Sequence, residues 1–347
     1  MTLKADKVQS ILNVDAIVDF ISSLQTEHGD IPWHENGKTD PWDLVETIMG
    51  LNVANRLDVS YKAFEWLKKM QNPDGSWYSS YIKQIPEDKT RETHISSYIS
   101  VGLLHTRLIN KDDTFLEYYW DTMEKSIDYA VSLQSETGEI YWAKSSEGKI
   151  DPMALLTGSS SVFMSLKAAL TIAKILGKTK KTWEKAFYLL EKSLKHNIYN
   201  YNITKSRYSM YWFYPVLCGA LTKKEAEKRI SKGWNKYVIE RHGARCVSDQ
   251  SWVTIAETCE LVLSLCALGD FKKAGIVFSW IQDRIYADKI YWCGYTYPDM
   301  VIWPEEKISW TNAVVLMAAD ALYDLTYAAR LFSHNFWDGF IYKDFVD

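Results

Sequence analysis

The chain has 347 residues, 47% of them apolar, which is enough for one large domain, two average ones or a repeat array. Its net charge of −4 and pI near 6.0 arise from Lys and Glu spread along the chain, with no basic stripe for nucleic acid and no acidic tail. The five cysteines (Cys218, Cys246, Cys259, Cys266, Cys293) are odd in number and form no CxxC pair, as free thiols in a reducing cytoplasm would.

The opening MTLKADKVQS lacks the apolar core of a signal peptide, and no apolar run approaches the roughly 18–20 residues of a membrane span. The expectation is a cytoplasmic protein, with peripheral membrane contact left open and the oligomeric state unspecified. With 15 Trp, 22 Tyr and 12 Phe, aromatic faces are available both for a large core and for a ligand.

Two kinds of helix alternate along the chain. Amphipathic, Lys/Glu-bearing segments are predicted near 11–25, 59–71, 117–134, 181–197, 223–236 and 270–285. Between and after them lie runs apolar on most faces, at 43–54, 93–107, 155–174, 209–221, 252–268 and 310–327. Helices without a wet face belong in an interior. Strand signals are few. Six buried helices alternating with six half-exposed ones, at a repeat of roughly 50–60 residues, imply stacked hairpins. The expected fold is an all-α (α/α)6 barrel, one domain spanning 1–347, with six parallel inner helices ringed by six outer ones.

The joints between hairpins repeat as well. FISSLQTEHGDIPW (20–33), FEWLKKMQNPDGSW (64–77) and YAVSLQSETGEIYW (129–142) each end a helix in Gln, followed four residues later by Gly; VFSWIQDRIYADKIYW (277–292) is a weaker copy. Gln25, Gln71 and Gln134 thus precede Gly29, Gly75 and Gly138. Such a Gln satisfies free backbone groups at a helix end, and an apolar or Trp anchor packs across the joint.

The spacing Trp66-Leu67-x3-Gln71-x3-Gly75-x-Trp77 resembles the QW motif of squalene and oxidosqualene cyclases, whose α/α toroid also occurs in protein prenyltransferase β-subunits. Ile31 and Ile140 replace the motif Trp in the copies at Gln25 and Gln134. The resemblance implies a terpenoid cyclase- or prenyltransferase-like enzyme with its chemistry at the start of an inner helix. There Asp40-Pro41-Trp42-Asp43 is similar to the cyclases' Asp-x-Asp-Asp-Thr, with Trp42 at the place of the proton-donating Asp. The zinc set of the prenyltransferases has no matching arrangement.

The N-terminal ends of the inner helices are where loops converge on a cavity. In chain order the junctions offer Trp33, His34, Asp40, Trp42, Asp43 and Glu46; Arg91, Glu92 and His94; Trp142, Asp151 and Ser159–Ser161; Arg207, Tyr208 and Tyr211; Arg245, Asp249, Trp252 and Glu257; and Tyr297, Asp299, Trp303, Glu305 and Trp310. Asp40 and Asp43 read equally as helix caps. Glu46 and Glu257 lie inside apolar helices, where a carboxylate needs a partner, Arg91 or Arg245 for example, or a proton. His94 beside Glu92 is a poised base or a core hydrogen bond, and the three serines allow close helix approach. Cys246, Cys293 and His94 lack the spacing of a zinc site, and no cofactor is implied.

Acids among aromatics suit two chemistries. A carboxylic acid can start a carbocation reaction on an isoprenoid lipid, with aromatic faces stabilising the cation. Alternatively two carboxylates flank a glycosidic bond while Trp faces stack on the sugar rings of a glycan. A non-catalytic scaffold is the third reading. The resemblance puts the isoprenoid enzyme first. Asp40, Asp43, Glu46 and Glu257 are then its acid/base residues, with His94 and Asp249 secondary. Its substrate would be bound by Trp33, Trp42, Arg91, Glu92, Trp142, Asp151, Tyr208, Trp252, Asp299, Trp303 and Trp310.

Overall fold

The computed structural model describes residues 12–338. The MTLKADKVQS stretch and the first residue of the segment predicted at 11–25 lie outside the described residues.

Helices alternate between two layers along the whole described chain. Outer α1 (Val14–Ser23) leads to inner α2 (Pro41–Val53), and outer α3 (Leu57–Met70) to a divided inner pair, α4 (Thr93–Ser97) and α5 (Ile99–Asn110). Outer α6 (Asp113–Val131) leads to inner α7 (Leu156–Ile175), and outer α8 (Lys181–His196) to inner α9 (Ser209–Leu217). Outer α10 (Lys223–Tyr237) and inner α11 (Ile255–Leu268), then outer α12 (Phe271–Ser279) and inner α13 (Ser309–Tyr323), complete the (α/α)6 toroid.

The layering follows from the sequence pattern. In α7 and α11 nearly every side chain is buried, whereas α8 buries one stripe, Trp183, Ala186, Phe187, Leu190, Ser193 and Leu194, and leaves the other face wet. The ring closes where Ser309 donates its backbone N–H to the Trp33 carbonyl (2.7 Å) and its hydroxyl to the Pro32 carbonyl (2.9 Å), seating α13 against α2. No described helix is long and apolar enough to cross a membrane.

The two ends of the barrel differ. Turns from inner to outer helices are short. The long connections all lead from an outer helix into the next inner one, and they carry nine short strands: the pair β1 (Ser80–Ile82) and β2 (Ile85–Asp88), the sheet β3–β4–β5 (Arg91–Glu92, Tyr141–Lys144, Ile150–Ala154), and the sheet β6–β7–β8–β9 (Val238–Ile239, Gly243–Arg245, Trp252–Thr254, Gly294–Thr296). Strands of two to five residues are too short for alternation to register in a sequence window. They build a walled mouth around the inner-helix N-termini. The opposite end is covered by the segment after α13, where Trp337 is buried against Lys167, whose ammonium donates to the Cys218 carbonyl (2.8 Å).

Each repeated glutamine braces two successive outer helices. Gln25 Nε2 donates to the carbonyls of Gly29 (2.9 Å) and Val59 (2.9 Å). Gln71 does so to Gly75 (3.0 Å) and Thr122 (2.8 Å), and Gln134 to Gly138 (2.9 Å) and Ala186 (2.8 Å). The glycines take φ of +102°, +88° and +99°, and a Cβ there would lie 2.3, 2.1 and 2.3 Å from a carbonyl oxygen of the next outer helix. Only glycine meets both demands. The pattern is therefore a solution to joining hairpins in a toroid. It is a structural joint and by itself specifies no reaction.

Candidate active site

The mouth is built first by α2. Asp40 caps the helix, accepting from the backbone N–H of Trp42 (2.8 Å) and Asp43 (3.4 Å), and Pro41 sits at the first helical position, where no N–H is needed. One turn on, Glu46 is 4% exposed and accepts from the Trp42 indole (3.0 Å) and the Tyr98 hydroxyl (3.5 Å). Asp40 and Asp43 keep part of their surface open to the cavity but lie deep below the rim. Burial pushes Asp40 up to about 6 and Glu46 up to about 7. Burial, then the neighbouring Asp40 and Glu46, hold Asp43 well above the usual carboxylate range. Lys38, whose ammonium lies 4.2 Å above the Trp33 ring, is the nearby cation that opposes this. The Trp33 indole N–H eases the charge on Asp43 without closing a hydrogen bond.

A second pair of acids comes from α11. Glu257, in its first turn, accepts from the Thr254 hydroxyl, and burial together with this carboxylate raises the Cys246 thiol. Glu260, three residues on, is buried and accepts from the Tyr214 hydroxyl (2.9 Å). Burial, then Glu46 and Glu257, raise Glu260 well above its ordinary value, and Asp43 adds to the effect. Acids from two inner helices therefore share one electrostatic neighbourhood. Neither arginine proposed as a partner joins it: Arg91 pairs with Asp74 (2.9 Å) and donates to the Ser145 carbonyl (3.0 Å), and Arg245 donates to the Lys236 carbonyl (3.2 Å). With no arginine beside them, burial drives Asp43, Glu46 and Glu260 toward their protonated forms.

Aromatic rings pack between the acids. The Trp42 ring meets His94 edge-on at 4.7 Å, Tyr98 at 5.2 Å and Tyr214 at 5.7 Å. His94 Nε2 lies 3.2 Å from Glu92, which also accepts from Ser79 (3.0 Å). Burial raises Glu92 to about 7 and lowers His94 to about 3, so each is driven toward its neutral form and their contact is a hydrogen bond rather than an ion pair. His94 Nδ1 and the indole N–H groups of Trp33, Trp142, Trp292 and Trp310 are buried at this end without a protein partner. Such groups are costly to leave unpaired and suit the hydroxyls of a polar ligand.

The remaining sequence candidates spread over the rim. Trp310 lies 6.4 Å from Trp33, and Trp252 donates its indole N–H to the Trp303 carbonyl (2.7 Å) with the rings 5.2 Å apart. Trp303 is 58% exposed and Tyr208 40%. Asp249 is held away in an exposed pair with Arg207 (2.8 Å), and Asp299 accepts from Thr296 (2.6 Å). Asp151 is exposed and accepts from the Met153 backbone (3.0 Å). Ser159 and Ser160 donate to carbonyls of Ile140 (3.4 Å) and Leu156 (2.7 Å). No group of three or more His, Cys, Asp or Glu among the described residues is placed to hold a metal. Sequence reasoning passed over Glu260, Tyr98, Tyr214 and Lys38. Glu260 carried the same signal as Glu257, a carboxylate inside an apolar helix.

No family model matches the sequence. It is 41% identical over 302 residues to the MMP endo-(1,4)-3-O-methyl-alpha-D-mannosidase of Mycolicibacterium hassiacum, covering 87% of this chain and 84% of that protein. It is 30% identical over 157 residues to an uncharacterized glycosyl hydrolase of Methanocaldococcus jannaschii, covering 44% of this chain and 24% of that one. Among solved structures, a glycosidase variant in complex with glucose superposes with a TM-score of 0.69 at 11% identity, over 92% of this chain and 99% of the other. A GH63 mannosylglycerate hydrolase from Thermus thermophilus does so with 0.68 at 9% identity, over 87% and 98%. These structural likenesses concern the fold alone.

The mannosidase relative overturns the terpenoid cyclase and prenyltransferase resemblance and, with it, the isoprenoid substrate. The acidic mouth agrees with that correction. Trp42, at the place of the cyclases' proton donor, is an indole buried among His94, Tyr98 and Tyr214, with its only acidic proton donated to Glu46. On its identity and coverage, the chain belongs to the family of the MMP endo-(1,4)-3-O-methyl-alpha-D-mannosidase.

Proposed function

We propose that the chain is a glycoside hydrolase that cleaves α-mannosidic linkages in a mannan, O-methylated as in the substrate named for its Mycolicibacterium relative. The observation that carries this reading is the pairing of α2 and α11 acids across one aromatic-lined mouth, where Asp43 and Glu46 sense Glu257 and Glu260. Glycoside hydrolysis needs one carboxyl that keeps its proton and one that does not. Asp43, held protonated by burial and by its acidic neighbours, is the general acid to the leaving oxygen. Glu257, oriented by the Thr254 hydroxyl, is the second carboxylate, which activates water or attacks the anomeric carbon. Asp40 and Glu46 beside it add to the Asp43 proton affinity, while Tyr98 and Tyr214 donate to Glu46 and Glu260 beneath. His94 and the unpaired indoles bind sugar hydroxyls, and Trp252 and Trp303 offer ring faces to units farther along the chain.

The test is hydrolysis of 3-O-methylated (1→4)-α-mannose oligosaccharides by the wild type, Asp43→Asn and Glu257→Gln. Each variant should lose about 10²–10⁴-fold in kcat while keeping its circular dichroism and Tm. Full activity in both would discard this acid/base pair. The anomer released first, followed by NMR, tells Glu257 as nucleophile (retention) from Glu257 as base (inversion).

A further inference from the structure

We propose that a groove on the flank of the barrel, between inner α9 and outer α10, is a second binding site, taking a sugar that carries a phosphate or carboxylate. The groove holds about 380 Å³ and is lined by Tyr211, Trp212, Lys228, Arg229, Lys232 and Gly233, with Lys236 and Tyr237 at one end. None of these residues belongs to the acidic mouth, and the inference does not depend on the hydrolase reading.

The floor is apolar and rigid. Trp212 stacks on Tyr237 at 5.0 Å with ring planes 11° apart, and donates its indole N–H to the Arg229 carbonyl (2.8 Å). A Cβ on Gly233 would sit 2.2 Å from Trp212 Nε1, so the bare backbone is what lets α10 lie against the indole. Within this floor Tyr211 is 6% exposed, and its hydroxyl has no protein partner. A buried hydroxyl bears the desolvation cost unless a ligand meets it.

The walls are mainly cationic, with Lys228, Arg229 and Lys232 against one carboxylate, Glu225. Arg229 donates from Nε to the Trp212 carbonyl (2.7 Å) and from Nη2 to the Tyr211 carbonyl (2.7 Å), which fixes the guanidinium plane 5.8 Å from the Tyr211 ring. Burial and the Tyr211 and Tyr237 hydroxyls govern its ionisation; no carboxylate contributes. Lys228 and Lys232 stand one turn apart on the same face of α10, both exposed. Glu225, which also lines the groove, is engaged by the capping box with Thr222 (2.6 Å). An anchored guanidinium, a free hydroxyl and two mobile ammonium groups select an oxyanion, and the aromatic floor selects the ring that bears it. There is no carboxylate pair here, so the site binds without hydrolysing.

The experiment is isothermal titration of the full chain with mannose 6-phosphate, glucuronate, inorganic phosphate and neutral mannose, at about 50 and about 300 mM salt. Both sugar anions should bind once per chain, mannose 6-phosphate several-fold tighter than inorganic phosphate and more weakly at high salt. Tyr211→Phe, which removes only the hydroxyl, should weaken binding about fivefold to tenfold. The double variant Lys228→Gln/Lys232→Gln should weaken it about tenfold and remove most of the salt dependence. Binding should persist unchanged in Asp43→Asn, which would place the ligand outside the mouth. The proposal is overturned if no anion binds, if neutral mannose or inorganic phosphate binds as tightly as the sugar phosphate, if the groove variants bind as the wild type does, or if Asp43→Asn abolishes binding.

Discussion

Replacing Glu46 by Gln should make the protein more stable above neutral pH. Glu46 is 4% exposed, and burial raises its carboxyl from 4.5 to about 7. Because the folded-state value lies above the unfolded one, the folded protein holds this proton more tightly than the unfolded chain does. The stability tied to it is fully present below about pH 4.5, is lost as pH climbs through 7, and levels off beyond. A rise from 4.5 to about 7 corresponds to about 3 kcal/mol between the fully protonated and fully ionised limits.

Gln keeps the shape, and its carbonyl still accepts from the Trp42 indole and the Tyr98 hydroxyl, so neither of those donors is orphaned. It carries no charge at any pH. Urea unfolding of the two proteins should therefore give nearly equal stabilities at pH 5 and a gain for Glu46→Gln approaching about 3 kcal/mol at pH 8.5, with a flatter pH dependence between. A variant that is less stable than the wild type at pH 8.5, or that keeps the wild-type slope from pH 5 to 8, would refute the reasoning that this acid is buried without a cation.

Gln71→Ala removes both hydrogen bonds of one joint and should cost about 2 kcal/mol, read as a lower urea midpoint at unchanged m-value. Gly75→Ala should cost more, since its Cβ would meet the Lys125 carbonyl oxygen at 2.1 Å in a left-handed backbone. Trp303→Ala, at the exposed rim beside Trp252, should raise KM about threefold to tenfold for long oligosaccharides and leave it unchanged for the shortest cleaved one.

The toroid was legible because its two layers impose opposite patterns: helices such as 252–268 have no wet face, while 181–197 has one. The structure trims these to Ile255–Leu268 and Lys181–His196, since helix ends are set by caps and not by hydrophobicity. It divides the segment at 93–107 into α4 and α5, a break that apolar composition does not signal. The strands of the mouth left no pattern because each is only two to five residues long.

At the site, Glu46 and Glu257 stood out as acids inside apolar helices and Asp43 through its place at the start of one, and the structure brings the three into one neighbourhood with Glu260. Their partners did not stand out. Tyr98 and Tyr214 look like ordinary core residues until the fold sets their hydroxyls against Glu46 and Glu260. The chemistry was misread because Gln71, Gly75 and Trp77 report how toroid hairpins join, whichever reaction the cavity hosts.

The glutamine joints also have a direction in time. Each reaches forward to a carbonyl made later in synthesis: 34 residues on for Gln25, 51 for Gln71 and 52 for Gln134. A joint therefore stays open until the following outer helix has left the ribosome, and then locks the hairpin behind it. The final seam, Ser309 to Pro32, spans 277 residues and closes only once synthesis has passed Ser309. Until that moment the acids of α2 and α11 are not held in one cavity, so the nascent protein acquires its candidate catalytic pair last, as a property of the closed ring and of no segment within it.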